Sequence, residues 1–517
     1  MRAMLIGFLS FIALGSWAVS SPLGSTPDSL YHSASIWCSS FTEDNPCDRT
    51  FDDTPSWGIP MGLVESMCSV QNPSQSSSCQ SFIHYDDGRI ARTADLNPAT
   101  GLYPDLFYKT MNLFVGPNIE HALLGMRLLN AGIFSLLVGC LSLLLPRRLF
   151  GSAVVSWIVT MVPLGVFFIP SINPSSWNII GIGFAWITIL GFLETRGIRS
   201  VSLGIVGIGT IILATGARAD GLVFAILSAV LALWLSNWSQ RLLWAKALIP
   251  VGISLVLGAV LFANPRQTGV AEEGFGVRPS NEEMPTVAPD SPGGILWNNL
   301  LDTPSLWLGM IGGYPLGSLG WLDTVMPQIV VFSVFLVAVI LSYLALHDRE
   351  WKKITAIIGG VVLISIIPLY LLQLGGFLVG EEIQPRYLLP LLIMLMGVIF
   401  LPNREHSRFV LPPSLVVMGA VLLAIANSAA LHTNIRRYVT GITQGGLDLS
   451  SGKEWWWQSI PPFLTPNVVW VLGSLAFFGL AWTVLNERSK ISEYLTKDAE
   501  EDVAPSAGLA PRTKNRR

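Results

Sequence analysis

Polar residues break this chain at long intervals, and between them run stretches of Leu, Ile, Val, Ala, Phe and Gly without the every-other-residue alternation of a barrel strand. A run of about 18 to 25 apolar residues is long enough to cross a bilayer as a helix. Such runs lie near residues 4–20, 121–145, 151–170, 175–193, 200–216, 220–236, 243–263, 325–346, 354–374, 387–401, 411–431 and 467–485. Hydrocarbon offers no partner to backbone N–H and C=O groups, so each run is read as a helix. The pattern predicts an all-α polytopic membrane protein with about twelve transmembrane helices. The run at 387–401 is short, and those at 200–216 and 220–236 are parted only by Gly-Ala-Arg-Ala-Asp, which leaves a helical hairpin or a broken helix open.

Polar connections add sidedness. Alternate loops hold Arg147 and Arg148, Arg196 and Arg199, Arg241 and Lys246, Arg349 with Lys352 and Lys353, and Arg404 with Arg408. Short cytoplasmic loops concentrate Lys and Arg, so these are assigned to the cytoplasm, together with both termini. The organisation that follows is a first helix over 1–20, an extracytoplasmic loop-rich segment over 21–120, helices over 121–263, an outer loop over 264–324, helices over 325–485 with a further outer loop at 432–466, and a disordered cytoplasmic tail over 486–517. The first run has a basic start and an Ala-Val-Ser end that a signal peptidase accepts, and it is read as a retained helix, with cleavage as the alternative.

Composition agrees with the pattern: of 517 residues 51% are hydrophobic and only 13% charged. A net charge of -3 makes no basic field, so nucleic acid is not expected as a partner. Four of the five cysteines, Cys38, Cys47, Cys68 and Cys79, fall in the segment assigned to the outside, where disulfides form and persist; four cysteines allow three pairings. Without a CxxC pair a zinc site is disfavoured, and Cys140, inside an apolar run, is read as packing.

The outer segments differ in character. The 21–120 segment is rich in turn signals and is expected to hold short helices. The 264–324 segment begins polar and acidic and then turns aromatic, with Trp297, Trp307, Tyr314 and Trp321 suited to the headgroup zone. Trp455, Trp456 and Trp457 form a second interfacial anchor. Trp37, Trp57, Trp297 and Trp307 are candidates for stacking on sugar rings, although tryptophans near an interface more commonly anchor. Asn173 and Trp177 sit on a short outer connection, where Asn-Pro more commonly starts a helix.

Candidate chemistry collects on the same side. Asp28 and His32 are four residues apart, so on a helix they share one face. A carboxylate beside an imidazole serves as a base, as a metal ligand or as a plain surface hydrogen bond. Further outer polar residues are Asp105, Arg218 with Asp220, Asp302, Asp323, and Glu381 and Glu382 ahead of Arg386. Arginine near bilayer depth needs a partner, which makes Arg218–Asp220 and Arg386 with Glu381 and Glu382 candidate ion pairs. The functional reading is phosphate recognition, since a planar guanidinium matches phosphate oxygens.

These residues lie in segments with a common pattern. TPDSLYHSASIW resembles the start of the family called domain of unknown function 2142, whose members often carry Pro-Asp-Glu and then His after the first helix. LYPDLFY, GMRLLNAG, FFIPSINPSSWN, LGWLDTVMP and QPRYLLPLL then resemble that family's further elements, in the same order, over residues 24 to about 400. Two positions depart: Ser29 stands where an acid is usual, leaving Asp28 alone, and Pro385 stands where Gly is usual before Arg386.

The family resembles the GT-C membrane glycosyltransferases, and the resemblance implies a GT-C-like fold and mechanism. Asp28 would draw the proton from an acceptor hydroxyl attacking the anomeric carbon of a polyprenyl-phosphate sugar, with His32 steadying Asp28 or contacting the leaving phosphate. Arg386 and Arg218 would stabilise the charge growing on that phosphate, with Asp220, Tyr387, Asp105 and Asp323 completing the binding set. The implied partners are the lipid-linked donor, a glycan acceptor and membrane lipids; no cofactor is required, and a divalent metal is allowed but not called for. The implied setting is the outer face of a bacterial plasma membrane, in cell-envelope glycan synthesis. Two other classes compete: a secondary transporter or lipid flippase, which would place ionisable residues on broken helices at the midplane, and a non-catalytic envelope assembly protein, for which Ser29 speaks.

Overall fold

The computed structural model describes residues 2–41, 47, 56–83, 88–238, 241–262, 292–403 and 411–503. Among them the protein is all-α apart from one two-stranded hairpin. Seven described helices are long and apolar enough to cross a membrane: α6 (Ile119–Leu144), α9 (Ser175–Glu194), α10 (Gly197–Thr215), α14 (Gln328–Ala345), α15 (Trp351–Gly375), α17 (Pro413–Val439) and the first 22 residues of α18 (Pro466–Val503). Shorter apolar helices stand beside them: α1 (Arg2–Ala18), α11 (Asp220–Leu235), α12 (Arg241–Phe262) and α16 (Pro385–Ile399). Fully buried from Ser175 to Leu193, α9 is the hub against which α10, α11, α16 and α7 (Arg147–Thr160) pack.

The run expected over 151–170 is not one helix. α7 ends at Thr160 and a five-residue helix, α8 (Leu164–Phe168), follows Pro163. Proline has no N–H to give and its ring excludes the carbonyl a turn back, so the run divides there. Around Gly-Ala-Arg-Ala-Asp the outcome is a hairpin, with α10 and α11 both resting on α9. At the C-terminus the helix runs on to Val503, beyond the expected boundary at 486. The remaining tail, the acidic part of the 264–324 loop, and Arg404 and Arg408 lie outside the described residues.

The helix ends gather into two groups. At one end basic side chains cap carbonyls: Arg199 on Leu145 (2.8 Å), Lys246 on Phe192 (3.0 Å) and Thr195 (2.7 Å), Lys352 on Ser236 (2.5 Å), and Lys353 on Ala345 (2.9 Å). Arg148 ties Glu194 (2.7 Å) to the carbonyl of Pro402 (3.1 Å). Helix C-termini carry partial negative charge and unbonded carbonyls, so cations there are favourable.

The opposite end is covered by the 21–118 segment. It comprises α2 (Ser29–Trp37), the antiparallel strands β1 (Trp57–Pro60) and β2 (Ile90–Thr93) in register from Trp57 with Thr93 to Pro60 with Ile90, α3 (Met61–Glu65), α4 (Asn97–Thr100) and α5 (Asp105–Asn112). Disulfides join Cys38 to Cys47 and Cys68 to Cys79. Two buried arginines fasten this cap to the bundle. Arg127 of α6 donates to the carbonyls of Ala18 (3.0 Å), Ser21 (2.6 Å) and Pro22 (2.7 Å). Arg437 of α17 donates to those of Gln75 (2.7 Å) and Ser69 (2.8 Å), inside the Cys68–Cys79 loop, and pairs with Asp323 at 2.9 Å.

Helix α13 (Pro292–Met310), the expected interfacial segment, packs on α15 and α16. Asn299 donates to the carbonyl of Phe377 (2.8 Å), and Gly309 meets Pro385 so closely that a Cβ would lie 2.5 Å from its ring. Its outer face leaves Leu296, Trp297, Leu300, Leu301, Trp307 and Leu308 exposed.

The Arg437–Asp323 pair is fully buried on the arginine side, whereas Arg89–Glu65 is open to solvent. Arg437→Met, which strands a buried carboxylate, is expected to cost about 3–5 kcal/mol, and Arg89→Ala no more than about 1 kcal/mol. Thermal unfolding of the two variants in detergent checks the contrast.

Candidate functional site

Residues 24–28 form a tight turn before α2. Gly24 is left-handed (φ 75°), Ser29 closes the turn through its hydroxyl on the carbonyl of Thr26 (2.5 Å), and Asp28 itself is left-handed (φ 61°). An acid in place of Ser29, which is buried, would lose that closure. Two outside donors hold the turn: Asn173 on the carbonyl of Pro27 (3.2 Å) and Trp321 on that of Gly24 (2.8 Å). The Asp28 carboxylate therefore projects from a fixed backbone and is 48% exposed.

Across from it lies Arg386, the second residue of α16. Pro385 ahead of it occupies the first helical position, where the missing N–H costs nothing. Arg386 is only 3% exposed; its Nη2 donates to Asp28 (3.0 Å) and to the hydroxyl of Tyr387 (3.0 Å), and its guanidinium lies 5.3 Å from the Phe168 ring. Its Nε and Nη1 are buried without a hydrogen-bond partner. A buried charged donor without an acceptor is costly, so an acceptor bound at these two N–H groups, an anion or a water, would be favoured. Arg386, Ser318 and Gln384 line a small pocket whose other walls are apolar, at the N-terminus of α16, where the helix dipole also favours negative charge.

Tyr387 connects this arginine to a second one. Its ring has the Arg386 guanidinium at 4.9 Å and that of Arg218 at 4.5 Å. Arg218 grips Asp220 through Nε (2.9 Å) and Nη2 (2.9 Å) and also faces Tyr103 at 5.8 Å. Its charge is already answered, while Arg386 has donors to spare.

His32, one turn after Asp28, is buried. Its Nδ1 lies 2.9 Å from the Tyr108 hydroxyl and its ring packs against Tyr31 (5.4 Å) and Tyr103 (5.3 Å). No hydrogen bond joins His32 to the Asp28 carboxylate. Burial, and then the charges of Arg386 and Arg218, hold the imidazole well below its ordinary value, so it is neutral at pH 7. Burial pushes the hydroxyls of Tyr103 and Tyr108 upward, so both stay protonated.

Asp28, His32, Arg386, Tyr387, Arg218 and Asp220 thus form one cluster, although Asp28 and Arg386 are 358 positions apart. Asp105 stands at its rim, exposed and 3.4 Å from Lys109. Asp323 is not in it, because its carboxylate is taken up by Arg437 and by Thr324 (3.0 Å). Glu381 caps the N–H of Leu378 (2.7 Å). Trp177 is a packing residue bonded to Asn130 (2.8 Å), Trp37 is buried, and Trp297 and Trp307 lie on α13. Sequence reasoning missed Tyr31, Tyr103 and Tyr108. Tyr103 and Tyr108 flank Asp105 in LYPDLFY, so the motif that carries them was legible. Among the described residues no group of three His, Cys, Asp or Glu side chains is placed to hold a metal ion.

Protonating His32 inside this cluster is opposed, whereas in the unfolded chain it titrates near 6.5. Below that value the unfolded state binds the extra proton, so stability falls as pH falls, by about 1.4 kcal/mol per unit until the depressed folded value is reached. His32→Gln should flatten this slope between pH 6.5 and 5, as read by thermal unfolding across pH.

The profile of a family described as predicted membrane protein (DUF2142) matches residues 11–396 of the chain. No curated protein and no solved structure matches it.

Proposed function

Starting from the fact that the chain belongs to this family of membrane proteins (DUF2142), we propose that it is a glycosyltransferase drawing on a polyprenyl-phosphate-linked sugar at the outer face of a bacterial plasma membrane, with both termini in the cytoplasm. The observation that carries this reading is the pairing of an exposed carboxylate, Asp28, with a buried arginine whose Nε and Nη1 face no acceptor. Base and anion ligand are thereby in direct contact, at 3.0 Å.

The step balances with these groups. An acceptor hydroxyl gives its proton to the Asp28 carboxylate while its oxygen forms the bond to the anomeric carbon. The bond from that carbon to the phosphate oxygen breaks, and the electron pair leaves with the phosphate. Arg386 and the N-terminus of α16 stabilise the added negative charge. In the resting state Arg386 holds Asp28 at 3.0 Å. A phosphate bound to Nε and Nη1 shares the guanidinium, weakens its hold on Asp28 and frees the carboxylate to meet the acceptor hydroxyl. Neutral His32 forms part of the floor rather than acting as a second cation, and Arg218 acts through Tyr387. Charged pairs at the helix ends, and a hub helix without charge before Glu194, favour this reading over transport.

The test is sugar transfer by purified protein supplied with a panel of polyprenyl-phosphate sugars. Asp28→Asn should lower kcat at least about 100-fold, and Arg386→Lys, which keeps charge but loses the planar fork, about 100-fold. Transfer unchanged in Asp28→Asn removes this mechanism, and no transfer from any donor points to the assembly role.

A further inference from the structure

The two disulfides differ in their access to solvent. Cys38 and Cys47 are 1% and 3% exposed, whereas Cys68 is exposed and Cys79 half-buried. A disulfide is opened by a thiolate that reaches one of its sulfurs, so the Cys68–Cys79 bond is the one open to attack. The residues it encloses, 69–77, form neither helix nor strand, and their arms meet through the hydroxyls of Ser69 and Ser77 (2.9 Å). Closure by the disulfide therefore does much to keep this loop in one shape.

That shape is used on two sides. Toward α17, Ser69 and Gln75 present carbonyls to Arg437, the N–H of Ser77 donates to the carbonyl of Tyr438 (2.8 Å), and that of Ile442 donates to Pro73 (3.0 Å). Toward the site, the side-chain amide of Gln80, next after Cys79, donates to the carbonyls of both Leu23 (2.8 Å) and Ser66 (2.7 Å). Gly24 lies close to Ser66 and Met67, just ahead of Cys68: a Cβ on it would come within 2.8 Å of the Ser66 carbonyl oxygen and 2.9 Å of Met67 Sδ. The segments flanking the disulfide thus grip Leu23 and Gly24 like two jaws, and from there rises the turn that aims Asp28 at Arg386. The other hold on Gly24, from Trp321, leads back to the same loop, because Asp323 pairs with Arg437.

We propose that Cys68–Cys79 is a site of thiol–disulfide exchange that controls the aim of Asp28, with a dithiol as the reactant. A thiolate of the dithiol attacks Sγ of Cys68; the Cys68–Cys79 bond breaks, and the Cys79 sulfur leaves with the electron pair and gains a proton. The second thiol of the reactant displaces Cys68 from the mixed disulfide, and Cys68 gains the other proton. Two electrons and two protons have then passed from the dithiol to the protein, and the reactant is left as a disulfide. With the loop open the jaws part, the 24–28 turn loosens and the contact between Asp28 and Arg386 is lost. The reverse exchange with a disulfide reactant closes the loop again. None of this depends on the transfer of sugar.

The experiment is a timed exposure of the detergent-solubilised full chain to dithiothreitol, with alkylation of released thiols and amide hydrogen exchange both read by mass spectrometry. Cys68 and Cys79 should be labelled at least about tenfold faster than Cys38 and Cys47. Amides of residues 24–32 are held in the closed form by bonds such as Ser29 to Thr26 (3.2 Å) and His32 to Asp28 (3.0 Å). Once the loop is open they should exchange at least about tenfold faster, while those of α9 stay unchanged. Cys68→Ser with Cys79→Ser should exchange fast at 24–32 without reductant and change no further when it is added; reduction of the parent chain decides even where this variant misfolds. Opening of Cys38–Cys47 first, unchanged exchange at 24–32 after Cys68–Cys79 has opened, or a matching rise throughout α9 overturns the proposal. Labelling and exchange are read whether or not the protein transfers sugar, so the switch and the transferase fail separately.

Discussion

A guanidinium withdrawn from water must be given oxygen atoms, and much of the loop-rich end of this protein is arranged around that demand. Five arginines are buried there among the described residues, and each meets it differently; Arg436 donates to the carbonyls of Gly446 (2.7 Å) and Asp448 (2.8 Å). Arg127 collects three carbonyls at the end of α1. Arg437 takes two carbonyls and a carboxylate. Arg218 is closed by the two oxygens of Asp220. Arg386 alone among the five shares an exposed carboxylate and keeps two nitrogens without a partner, where Arg436 and Arg437 each keep one. Side chains with the same chemistry thus differ in how far their acceptors are open to solvent.

The cluster around Arg386 takes its shape from helix ends. Asp28 precedes α2, Asp220 begins α11, and Arg386 opens α16, so three helix N-termini and the 319–324 turn converge. Helices of this length are rigid over a turn or two, whereas the turns joining them are held by single donors such as Asn173 and Trp321. Rigid elements thereby set the spacing of the charged groups, and hydrogen-bonded turns set their aim.

Much of the scaffold was legible in the sequence because the bilayer enforces a simple rule: apolar runs of the right length become helices. The exception over 151–170 carries its own signal in Pro163. The site was legible in part. Asp28, Arg218, Asp220 and Arg386 stand out as charges beside apolar runs, and the order of short motifs suggested that they belong together. Local spacing could not separate Asp323 from the set, since its partner Arg437 comes from a helix end 114 positions away. Nor could it show that His32 turns from Asp28 toward Tyr108, since helical spacing aligns two backbone positions but leaves burial and rotamer to the tertiary surroundings. The tyrosines were passed over because an aromatic residue near an interface usually anchors.

The end of α1 bears on how the protein matures. Residues 18–22 are buried except for the partly buried Val19, and besides Arg127 they are held by Asn434 on Ser20 and Ser21 (2.8 Å each) and by Trp457 on the carbonyl of Val19 (2.7 Å). A peptidase needs this backbone extended and free, which the assembled bundle denies it. Once α6 and α17 have closed over the Ala-Val-Ser motif, cutting there would require prior local unfolding. Any cut at this motif would therefore have to come before α6 and α17 close over it.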